Sequence, residues 1–130
     1  MGVRALMLDI HINGNSELPT PNAPVNAVLL CHEYCLFGHR SLSFGLTEIR
    51  SWLDTHPREV VTLILENYVD AASLETAMNT AGLTDLLATH QSGSPWATLG
   101  EMIEANKRVV VLTHSEGGKR PWLLPVFSEA

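Results

Sequence analysis

The apolar positions of this chain fall into short runs separated by polar, glycine- and proline-bearing stretches. Val3–Ile10 (VRALMLDI) and Ala27–His32 (AVLLCH) read as buried strands. Val60–Glu66 (VVTLILE) is β-branched, apolar and flanked by polar residues, the clearest strand pattern in the chain. Val109–His114 (VVVLTH) is a fourth. Helical spacing appears between them. Leu42, Leu46, Ile49 and Leu53 recur on one face, with Ser41 or Ser43 as a cap and His56-Pro57 as a stop. Ala71–Ala81 carries Leu74 and Met78 four apart and stops at Gly82. Thr84–His90 reads as a further helical turn. Thr98 and Glu101 have capping-box spacing, predicting a short helix to Asn106. The stretch from Asn13 to Asn26, residues 34–40 around Gly38, and the stretch from Glu116 to Pro121 read as loops.

Strands read as buried on both faces and alternating with helices predict a parallel sheet in an α/β protein. No glycine-rich phosphate loop or Walker lysine motif accompanies them, which weighs against nucleotide folds. Four such strands are about half of an eight-stranded barrel, which takes about 250 residues.

Composition narrows the classes. At 130 residues and 14.2 kDa the chain is one domain at most, or part of a larger one. Hydrophobic residues at 45% against 17% charged exclude a disordered tail. Eight basic against fourteen acidic residues, net −6, argue against a nucleic-acid partner and against a polybasic membrane anchor. No apolar run approaches the roughly eighteen residues of a membrane span, and no signal-peptide order is visible at the start. Both termini lie on apolar runs, so residues 1–130 are expected to be a partial domain, truncated at both ends.

The candidate chemistry sits at strand ends. Asp9, His32, Glu66 and His114 each close one of the four runs, on the edge where parallel α/β folds bind ligands. Two carboxylates suit a hard cation such as Ca²⁺, and an imidazole suits proton transfer to a leaving oxygen. Taken singly, each is also what any strand returning to solvent shows. His39 and Arg40 follow the second strand and are candidates for the same rim. A rival constellation is Cys31, Cys35 and His39, whose spacing suits a soft metal such as Zn²⁺ but lacks a second paired half. Two buried thiols and a local disulfide remain open for the cysteines; the disulfide needs α-carbons within about 7 Å. His56 and His90 read as surface residues. Trp52, Trp96 and Trp122 suit a lipid interface or the core, and Trp52, at helix spacing, the core.

Several segments, in order, resemble the PLC-like phosphodiesterases, the X-region of phosphatidylinositol-specific phospholipase C. They are GVRALMLDIH (Gly2–His11), LLCHE (Leu29–Glu33), HPREVVTLILENYV (His56–Val69), WATLGEMIEANKRVVVLTH (Trp96–His114) and KRPWLLPVF near the end. The resemblance covers nearly the whole chain. It implies part of a TIM-type (β/α) barrel, strands two to five, and a phosphoric diester hydrolase acting on a phospholipid or glycerophosphodiester. In that reaction the inositol 2-hydroxyl attacks phosphorus and a cyclic phosphate forms. The resemblance makes His32 the general acid and Asp9 and Glu66 ligands of Ca²⁺; His114 and Arg40, from their places at and after strand ends, are expected to contact substrate. It also implies peripheral contact with a membrane and a family commonly secreted. Departures limit it. Met7 stands where calcium-dependent members carry another acid, and the family's first catalytic histidine lies upstream of the matched motif. The chain alone is therefore expected to turn over little or no substrate. A noncatalytic barrel remnant or binding module is the alternative, and a small zinc protein through Cys31, Cys35 and His39 a further one.

Overall fold

The computed structural model describes residues 2–14 and 20–129. Six strands form one sheet in the order β3-β2-β1-β4-β5-β6. β1 is Ala5–Ile12, β2 Val28–Leu30, β3 Arg40–Ser41, β4 Val61–Asn67, β5 Val109–Thr113 and β6 Leu123–Pro125. The α-helices are α1 Leu42–Thr55, α2 Ala71–Thr80, α3 Leu99–Glu104 and α4 Val126–Glu129.

The α/β class holds, but the sheet is mixed and open. β1, β4, β5 and β6 run parallel, whereas β2 is antiparallel to both β1 and β3. This corrects the all-parallel expectation. Parallel neighbours need a crossover of a dozen or more residues, usually helical. The connection from β1 to β2 shows no helix among its described residues. Instead Asn13, 2% exposed, fastens it: its amide nitrogen donates to the carbonyls of Thr20, Ala23 and Pro24, and its oxygen accepts from the Thr20 N–H. The chain therefore returns as a hairpin. That pairing carries β1 two residues past its expected end, with His11 opposite Leu29 and Ile12 opposite Val28.

The two faces of the sheet differ, which corrects the reading of strands buried on both sides. On one face Ile10, Leu63, Leu65, Val109 and Val111 pack against Leu42, Leu46 and Leu53 of α1 and Leu74 and Met78 of α2. α1 spans the predicted residues, capped by Ser41, whose hydroxyl accepts from the Phe44 N–H. Just beyond α2 and its cap Ala81, Gly82 has a φ of 72° that lets the Leu83 N–H reach back to the Met78 carbonyl. On the other face Ala88 and Met102 cover Val110 and Leu124, while Thr62, Ile64 and Glu66 of β4 are half-buried and Met7 is 67% exposed.

Smaller expectations also resolve. The turn at 84–90 is helical only over Thr84–Leu86; Leu87 then bridges to Val109 and Ala88 donates to its carbonyl, because three successive buried residues do not follow a helical period. β6 and α4 add elements that the sequence pattern did not indicate. Trp122 is buried in the core, Trp52 packs on the core edge beneath Arg4, and Trp96 stacks on His90.

Arg108 is a buried cation, 5% exposed. Its guanidinium donates to the Leu53, His56 and Glu59 carbonyls and to the Asn106 side chain. It thus meets the partial negative charge at the end of α1 and ties that end to the start of β5. Arg108→Met should lower unfolding stability by about 2–4 kcal/mol, since buried carbonyls lose their donor. A urea midpoint with unchanged slope would measure this.

The starts of α2 and α3 carry anions. Asp70 is held below the ordinary carboxylate range mainly by the Ser73 N–H, Glu101 by its bonds to Thr98, and Glu116 by Lys119 and the Ala71 N–H. Each folded-state pKa lies below its unfolded value. Their stabilisation is therefore complete above the unfolded carboxylate pKa of about 4 and is lost as pH falls through the lowered values. The urea midpoint should be flat down to about pH 5 and drop below about pH 4, less steeply in Asp70→Asn, which keeps the cap without titrating.

Candidate active site

The register of β1 against β4 builds the site. Asp9 lies opposite Glu66 and Met7 opposite Ile64, so both acids project from the half-open face. His11 follows Asp9 by two positions and Tyr68 follows Glu66 by two, which keeps them on that side. Their rings stack at 4.7 Å with 21° between planes. The Tyr68 hydroxyl donates to Glu66 at 2.7 Å. That bond is the main cause holding the Tyr68 phenol above its ordinary pKa, with burial and the charges of Glu66 and Asp9 adding to it.

His114 follows β5 and meets Tyr68 edge-on at 5.5 Å. The Asn67 N–H donates to its Nδ1 at 3.0 Å. A nitrogen that accepts carries no proton in neutral imidazole, so Nε2 carries it and is a donor. Asn67, 1% exposed, fixes this turn: its carbonyl accepts from the Ser115 hydroxyl, and its side chain bonds both the N–H and the carbonyl of Val69, just ahead of α2.

His32 lies two residues beyond β2, with Nε2 3.8 Å from Asp9 Oδ2. Its side chain is 83% exposed, that of Asp9 15%. Cys31 and Cys35 form a disulfide, with α-carbons 5.0 Å apart. The zinc reading is thereby corrected: both sulfurs are bonded to each other, and His39 Nδ1 lies 3.1 Å from the Cys35 carbonyl.

The structure thus gathers Asp9, His32, Glu66 and His114 at the strand ends. It places Arg40 elsewhere, on the α1 side, paired with Glu48 at 3.3 Å and lying over the Phe44 ring. Sequence reasoning missed His11 and Tyr68. The signal was present, since each stands two residues after a selected acid and shares its face.

Calcium requires six to eight oxygen ligands. Asp9 and Glu66 supply two carboxylates, one already accepting from Tyr68, and position 7 is Met7. No group of three or more His, Cys, Asp or Glu able to hold an ion occurs among the described residues. The donor set does not fit a calcium site built by these residues alone.

The family model PI-PLC X 1 matches residues 7–128. A protein of Arthroderma benhamiae named PI-PLC X domain-containing protein 1 is 34% identical over 108 residues, 76% of this chain and 35% of that protein. An uncharacterized secreted protein of the same organism is 28% identical over 98% of this chain and 28% of its own length. A PI-PLC X domain-containing protein of Arabidopsis thaliana is 29% identical over 99% of this chain and 32% of its own. The chain therefore spans about a third of the length of these curated relatives. No solved structure matches it.

The Tyr68–Glu66 bond gives a direct test of the site. Tyr68 should ionise above the free-tyrosine pKa of about 10, and Glu66→Gln should move its midpoint back toward that value. Ultraviolet titration of the phenolate band, with Tyr68→Phe identifying the signal, measures it.

Proposed function

The chain belongs to the PI-PLC X family, and from that premise we propose that its strand-end rim serves phosphodiester cleavage of a phosphatidylinositol-like lipid or glycerophosphodiester. The observation that carries this reading is the exposed His32 imidazole 3.8 Å from the largely buried Asp9 carboxylate. An imidazole that stands open to solvent beside the strand ends can hand a proton to a leaving oxygen, as a general acid does.

In the proposed reaction the inositol 2-hydroxyl attacks phosphorus and forms the cyclic phosphate. The bond from phosphorus to the glycerol oxygen breaks, and His32 gives that oxygen its proton. The proton of the attacking hydroxyl goes to a second base. His114 does not suit this role, because its Nδ1 already accepts from Asn67 and its Nε2–H is a donor. It suits a phosphate oxygen instead. The resemblance places that second base upstream of the matched motif. Calcium is given no step.

Four parallel strands with α1 and α2 against one face support reading the sheet as an arc of a (β/α) barrel. Tyr34, Leu36 and Phe37, exposed at 55%, 48% and 86%, follow His32 and are the groups assigned to peripheral contact with a lipid surface. No helix among the described residues is long and apolar enough to cross a membrane. The disulfide and the relative named as secreted support an oxidising, extracellular setting.

The test is turnover of phosphatidylinositol vesicles by the protein that carries this region. His32→Ala should lower kcat by about 10²–10⁴-fold with little change in KM. Full activity in His32→Ala would overturn the reading, and vesicle binding without any turnover would establish a binding module in its place.

A further inference from the structure

We propose that the Cys31–Cys35 disulfide positions His32, and that the site loses its acid when the bond is reduced. This rests on the reading of His32 given above. The imidazole has little to hold it. It is largely in solvent, and 3.8 Å to Asp9 is longer than a hydrogen bond. Its place must therefore come from the backbone.

Regular pairing ends just before it. The Cys31 N–H donates to the Asp9 carbonyl, the last cross-strand bond on this side among the described residues. His32, Glu33 and Tyr34 are then all exposed. Glu33 adopts a φ of 55°, a conformation that non-glycine residues reach at a cost, and the Tyr34 N–H closes back on the His32 carbonyl. A segment that buries little apolar surface offsets little of the entropy of being fixed in such a turn. Its two flanking residues offset more. Cys31 is 8% and Cys35 5% exposed, and they pack with Leu29, Ala23 and Ala27. The covalent bond joins these anchors, so His32 rides on a short bridge whose two ends are fixed relative to β2 and to Asp9. Loop-closure stabilisation grows with loop length, and this loop is among the shortest. The bond's main effect should therefore fall on the bridge rather than on the whole fold.

Reduction by dithiothreitol breaks the S–S bond. Two electrons and two protons pass to the cysteine sulfurs, giving two thiols, and the reagent becomes its cyclic disulfide. The experiment compares oxidised protein, dithiothreitol-reduced protein and Cys31→Ser/Cys35→Ser. The first readout needs no activity: backbone order parameters at His32, Glu33 and Tyr34 should fall from about 0.85 toward 0.6 or below, while amides of β1, β4 and β5 keep their order. The second is turnover of phosphatidylinositol vesicles. There kcat should fall about tenfold or more with KM within about twofold, and the serine pair should cause no further loss in a His32→Ala background.

Unchanged order at residues 32–34 overturns the proposal, as does an unchanged kcat in an active protein. So does a kcat loss that persists undiminished in the His32→Ala background, which would mark a general structural role. If the oxidised protein shows no turnover, the functional reading has failed and the order parameters alone decide the positioning role.

Discussion

The parallel pairing of β1 with β4 is the constraint on which the rest depends. Six consecutive residue pairs, from Ala5 with Thr62 to Ile10 with Asn67, fix which side chains share a face. Side chains alternate along a strand, so a slip of one residue would turn Asp9 into the core and bring Ile10 out of it. The buried row of Ile10, Leu63 and Leu65 against α1 and α2 makes that slip costly. The hydrophobic effect, acting on one face, therefore sets the position of the acids on the other.

The strand ends are finished by polar bonding rather than by apolar packing. Asn67 joins the end of β4 to the turn after β5, through His114 and Ser115, and also bonds Val69 ahead of α2. Glu116 adds a bond to the first N–H of α2. No buried side-chain polar atom lacks a partner among the described residues. A network satisfied in this way holds one geometry, because any alternative leaves a buried group unpaired. This explains how an exposed rim can be ordered while it buries little.

Legibility followed the physics. α1 and β4 were readable because their burial is one-sided and regular, and a 3.6- or two-residue period survives into the sequence. The direction of β2 was not, since an apolar run carries no sign of its orientation. The clue lay in the connection, which is rich in Asn, Pro and Gly and has no helical spacing. β6 is three residues long and ends in Pro125, too short to show a period. At the site, the acids and His32 were visible as polar residues closing apolar runs. His11 and Tyr68 were passed over because β1 was ended too early and Tyr68 lies just past β4. The state of Cys31 and Cys35 depends on a turn in three dimensions, for which their spacing alone gives no answer.

The loop fastened by Asn13 has a chemical consequence. Asn13 precedes Gly14, and an asparagine followed by glycine is open to attack by the next peptide nitrogen on its side-chain amide, with loss of ammonia. Such asparagines are among the thermolabile positions of proteins. Here the amide is buried and donates to three carbonyls while its oxygen accepts a backbone N–H. The side chain is not free to swing onto the following nitrogen. The same bonds that bring β2 back beside β1 thus keep the dipeptide from ageing, and each excursion that opens the loop exposes it. Deamidation would replace the donor with a carboxylate facing three carbonyl oxygens, so a molecule that aged while open could not close the loop again.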